Sequence, residues 1–166
     1  MIGMLHILFC AIGVSLWSAV VAGNQAGPVL TIPDALRAHV KGEEFAIVTS
    51  IRGLPLGVRD QLQTLWGTRT LDIAEPGAAF QLTDLNVNPA LPARRLVAAG
   101  CAADHHCLVY YERGGRSHTW LVALFHWTPA ATRFEGGGTA PGGLKTIDEV
   151  RNAVLSGAIK SPTNLW

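Results

Sequence analysis

The stretch "GCAADHHCLVYYERGGRSHTWLVALFHW", residues 100–127, decides the architecture. Within it, "CLVYYE" (107–112) and "SHTWLVALFHW" (117–127) are rich in apolar, β-branched and aromatic residues, which favour strands. Arg113-Gly114-Gly115-Arg116 separates them, and the glycine pair supplies the positive φ of a tight turn. A hairpin connection makes the two strands antiparallel. A two-residue turn at Gly114-Gly115 sets Tyr111 opposite His118, Val109 opposite Trp120 and Cys107 opposite Val122. The segment 102–106 then lies toward the Phe125–Trp127 end. "RRLVAAGC" (94–101) reads as a third strand, joined to the hairpin by the residues between Cys101 and Cys107.

Working outward, "EFAIVTSI" (44–51) and "AAFQLTDLNV" (78–87) read as two more strands, and Asn88-Pro89 and Leu91-Pro92 then break the chain. Thr31 and Pro33 open a short helix carrying Leu36 and Val40. Leu54, Val58, Leu62 and Leu65 lie at near-helical spacing along a helix over 55–66, which Gly67 ends. A T-x-x-E capping box, Thr146 to Glu149, starts a last helix with Ile147, Val150, Val154 and Ala158 as its apolar stripe. "TRFEGGGTAPGGL" (132–144) reads as a flexible connection without the pattern of a phosphate-binding loop. The expected fold is α+β, an antiparallel sheet of about five strands with helices packed on one face.

At 166 residues the chain suits one domain. Charged residues make up 15%, the net charge is +1 and no basic stripe occurs, which excludes nucleic acid as a partner. "MLHILFCAIGVSLWSAVVA" (4–22) is an apolar run, so residues 1–22 read as a signal peptide ending at Ala22 or as a membrane anchor. The globular domain is then 23–166, periplasmic or secreted. The anchored alternative holds it at the inner membrane, facing the periplasm. Membrane is touched only through residues 1–22, if they stay attached.

Loss of the leader removes Cys10 and leaves Cys101 and Cys107, an even pair that reads as a disulfide in an oxidising compartment. Zinc thiolates would want a tighter C-x-x-C spacing or a second ligand pair. A disulfide here holds Asp104, His105 and His106 in a short loop with both imidazoles exposed, where protonated rings meet a partner's carboxylates. The alternative is a zinc or copper site built from Asp104, His105, His106 and His126. The first reading needs no cofactor. His118 lies beside Tyr111 and within reach of Glu112, as a packing residue. No catalytic residue is assigned. G-x-S-x-G is absent, the thiols are oxidised, and Asp72, Glu75, Asp84, Glu112 and Glu135 read as solvated surface.

"VAAGCAADHHCLVYYERGG" followed by "TWLVALFHW" resembles the Ivy-type periplasmic inhibitors of lysozyme. Members of that family are small exported α+β proteins whose disulfide-held loop, with adjacent His and Asp, enters the lysozyme cleft and meets its catalytic carboxylates. The resemblance covers about 30 residues. The family loop has four residues between its cysteines, in the order Pro-His-Asp. Here there are five, Ala102 to His106, with Asp before His. What it implies is that Cys101 and Cys107 hold the loop, His105 or His106 inserts, and Asp104 is its neighbour. The expected function is a non-enzymatic binding or inhibitor protein acting on a protein partner, a cell-wall hydrolase. Two other classes stand beside it: a metal-binding protein or metalloenzyme, and an envelope component held by its N-terminal helix.

Overall fold

The computed structural model describes residues 29–85, 88–103 and 105–161. Five strands form one antiparallel sheet in chain order: β1 (Ala46–Val48), β2 (Arg94–Cys101), β3 (His106–Arg113), β4 (Thr119–Trp127) and β5 (Thr132–Ala140). Among the described residues three α-helices accompany it, α1 (Asp34–Gly42), α2 (Leu56–Trp66) and α3 (Ile147–Leu155). The α+β reading therefore holds.

The arrangement of the helices differs from expectation. The terminal helices share a face, where Val40 of α1 and Ile147, Val150 and Val154 of α3 pack with Leu108, Tyr110, Val122 and Leu124. α2 covers the opposite face, with Val58, Leu62 and Trp66 against Val109, Tyr111, Leu121, Ala123 and Phe125. Helices packed on one face alone would have left those residues in water. The cause lies in the strands: "CLVYY" and "LVALF" are apolar at every position, not at alternate ones, and such strands need cover on both sides.

Helix ends follow local chemistry. Gly67 ends α2 in the left-handed region at φ 62°, which glycine adopts without a Cβ penalty. Thr146 and Glu149 form the reciprocal capping box of α3. α1 starts later than expected, with Pro33 rather than Thr31 at its N-cap.

Two strand assignments change. The expected strand 78–87 is absent over its described residues: Phe80 is buried, but the segment runs beside Pro92 with Gln81 N donating to the Pro92 carbonyl. Instead, the glycine-rich 132–140 is a strand paired along β4. Gly138 explains how: a Cβ there would overlap the Lys160 carbonyl. Without one, Thr139 and Lys160 exchange both backbone hydrogen bonds at 2.8 and 2.9 Å, and Leu30 N donates to Ile159 O. The outer edge of β5 is thereby covered at its Thr139 end.

The β3–β4 register also differs. Cys107 lies opposite Phe125, Tyr111 opposite Leu121 and Arg113 opposite Thr119, so residues 114–118 form a longer loop. Its donors are used elsewhere: Gly114 N donates to Ala93 O and Gly115 N to Leu82 O. Among the described residues no helix is long and apolar enough to cross a membrane. Residues 1–22, with the leader or anchor read there, lie outside the described residues.

Candidate functional site

The disulfide end of the sheet gathers most of the residues singled out in the sequence. Cys101 and Cys107 are direct cross-strand partners, bonded to each other with Cα atoms 4.1 Å apart. Both sulfurs belong to the apolar layer under α2. The ring is closed a second time by the backbone, since Ala102 N donates to His106 O at 2.8 Å. Trp127 closes it a third time, its N–H donating to His105 O at 2.7 Å and its indole Nε1 to Ala102 O at 3.2 Å. The β2–β3 loop is thus pinned from both neighbouring strands.

The two adjacent histidines are not equivalent, which corrects the expectation that both are exposed. His105 stands out in solvent, whereas His106 is the first residue of β3 and 4% exposed. Strand alternation is the reason. His106 shares the face of Leu108 and Tyr110, beneath α1, and there its Nδ1 donates to Glu43 Oε1 at 2.7 Å. A buried imidazole needs such a partner. His126 lies opposite His106 in the register, its ring edge-on at 5.3 Å. Asp104 lies outside the described residues.

The helix brings two residues that the sequence reading left out, His39 and Glu43. They are one helical turn apart, and the spacing i, i+4 of His and Glu at the end of a helix is the signal that marks them. His39 Nδ1 lies 3.8 Å from the same Glu43 oxygen that holds His106. The other oxygen, Oε2, is buried with no hydrogen-bond partner among the described residues. Among the described residues no group of three or more His, Cys, Asp or Glu side chains is arranged to hold a metal ion. The zinc or copper reading, with His105, His106 and His126 as ligands, therefore finds no donor set among them.

A second polar cluster occupies the opposite end of the same face. Glu112 is 5% exposed, not the solvated residue expected. Arg95 donates to its Oε1 and His118 Nε2 to its Oε2, at 2.6 Å in each case. His118 also stacks on Trp120, with ring centres 4.3 Å apart, and the Arg95 guanidinium lies over Phe80. The expected neighbour Glu112 is its partner, while Tyr111 points to the other face. Asp72 and Glu75 are likewise engaged, by Arg94 and by Ile51 N. Tyr111 accepts from the Trp66 indole, and burial pushes its hydroxyl up to about 12. Burial also lowers the Arg94 guanidinium, against Tyr111 and Asp72, which raise it.

These contacts satisfy or bury the titratable groups they involve. His105 and His39 are the exceptions, two imidazoles facing water beside a fixed loop. No protein-family model, curated protein or solved structure matches the chain.

Proposed function

We propose that this chain is an exported, non-enzymatic binding protein of the inhibitor type, presenting His105 on a disulfide-held loop to a protein partner, a cell-wall hydrolase. The observation that carries the reading is the triple fixing of the loop, by the Cys101–Cys107 bond, the Ala102–His106 backbone bond and Trp127, around an exposed His105. Rigid presentation lowers the ordering cost of binding. An imidazole N–H directed at a carboxylate makes a charge-assisted hydrogen bond. Export is supported by the apolar 4–22 run and by a disulfide that suits an oxidising compartment.

In this reading His106 does not insert. It anchors the loop's return strand to α1 through Glu43, a positioning role. The deciding experiment measures lysozyme activity with increasing amounts of wild-type protein, His105→Ala and a Cys101→Ser/Cys107→Ser variant. Inhibition by wild type that is lost in His105→Ala supports the reading. Equal behaviour of wild type and His105→Ala overturns it. Intact mass of the protein from its native host tests export, the expected start being Gly23.

A further inference from the structure

Beside His105 stands a second exposed imidazole. His39 lies in the last turn of α1 with its side chain 62% exposed. Its ring centre is 6.4 Å from that of His105, with the planes tilted by only 31°. Since Nδ1 is turned toward Glu43, Nε2 is the nitrogen left to face outward. Among the described residues the approach is open: a Cβ at Gly42 would have no atom within 4 Å, and a depression of about 400 Å³ runs past Ala38, His39, Gly42 and Glu43.

We infer that His39 and His105 form one recognition surface that grips two carboxylates of the partner at once. The inference rests on the binding reading above and adds to it a residue and a partner geometry. Each imidazole is mounted on a rigid element, one on a helix and one on the pinned loop. The carbonyl end of α1 favours a cation at His39. Among the described residues, Glu43 and His106 lie against His39, His126 lies against His106, and Arg151 of α3 reaches Glu43. Arg151 is already committed to Asp148 and to the Glu43 carbonyl, and Glu43 to His106.

Two imidazole rings with centres 6.4 Å apart favour a pair of acceptors at similar spacing over a single surface acid. Enzymes that cleave glycosidic bonds carry such a pair, with carboxyl groups roughly 5–9.5 Å apart. The occupant is therefore the paired carboxylates on the floor of a wall hydrolase's cleft.

Calorimetric titration of the chain against a c-type lysozyme tests this, with His105→Ala, His39→Ala and Gly42→Glu as variants. A lost charge-assisted hydrogen bond weakens binding about tenfold or more. That loss is expected for His39→Ala, at an unchanged melting temperature. Gly42→Glu places a repelling carboxylate beside His39 without steric conflict, so it too is expected to bind weakly and fold normally. Weakening by His105→Ala alone, with His39→Ala and Gly42→Glu at wild-type affinity, overturns the two-imidazole surface and leaves the loop reading standing. Absence of binding by wild type overturns both.

Discussion

Glu112 and His118 are joined across the β3–β4 loop, Nε2 to Oε2 at 2.6 Å, while Arg95 Nη2 reaches the other carboxylate oxygen at 2.5 Å. One buried carboxylate thus ties β2 to β3 and to the end of the loop. Removing it strands two donors that no longer have an acceptor. Glu112→Ala is expected to cost about 3 kcal/mol, read as a lower urea midpoint. His118→Ala should cost less, because that ring is 31% exposed and water replaces its bond. A Glu112→Ala variant as stable as wild type would show that the cluster contributes no net stability.

The Cys101–Cys107 bond closes a short ring in the chain. By the chain-entropy relation such a ring contributes about 2 kcal/mol, and here it also fixes the loop. Cys101→Ser with Cys107→Ser should therefore lower the melting temperature and speed amide exchange in residues 102–106. The same melt repeated with a chelator separates this from a metal site. A chelator-sensitive melt together with two free thiols would replace the staple with bound metal.

The chain's 2 tyrosines give an optical readout of burial. Tyr110 and Tyr111 are both pushed up to about 12 by burial, whereas an unfolded phenol ionises near 10. The folded state therefore holds these protons more tightly than the unfolded state does. Stability is full below about pH 10 and falls as pH rises toward 12, because the unfolded chain releases protons that the folded chain keeps. Absorbance at the phenolate band should rise only together with alkaline unfolding. A tyrosine titrating near 10 in the folded protein would contradict its packing.

The capping box of α3 makes a prediction of the opposite sign. Backbone N–H groups of Lys145 and then Thr146 hold the Glu149 carboxyl below the usual range. Its contribution is present above the unfolded value and is lost as pH falls through the lower folded one. Thr146→Ala, which removes the other half of the box, should cost about 1 kcal/mol, and Thr146→Ser close to none. Chemical denaturation at neutral and acid pH reads both effects.

Legibility in the sequence followed the range of each interaction. β2, β3, β4 and the ends of α2 and α3 were readable because an apolar run, a cysteine pair, Gly67 and a T-x-x-E box act within a few residues. β5 was not, because "TRFEGGG" has the composition of a loop. It becomes a strand by pairing with β4 and by the closure of Lys160 over Gly138, twenty-two positions on. The burial of His106 was hidden for the same reason: its partner Glu43 lies 63 residues away. The Gly-Gly turn was read as tight because Leu82 and Ala93, which take up its donors, are remote in sequence.

The pairing of Val29 and Thr139 with Lys160 bears on how the domain is carried. Thr139 lies opposite Leu121, whereas Arg133 lies opposite His126 at the histidine end. Six residues of extended chain separate the two positions, about 20 Å. Val29 and Lys160, near the two ends of the described residues, are therefore moored together at the far corner of the sheet. An attachment made at Val29 or at Lys160 leaves the His39–His105 side facing outward. A display format or immobilised assay that joins the domain at Val29 or Lys160 holds it by the corner remote from that side.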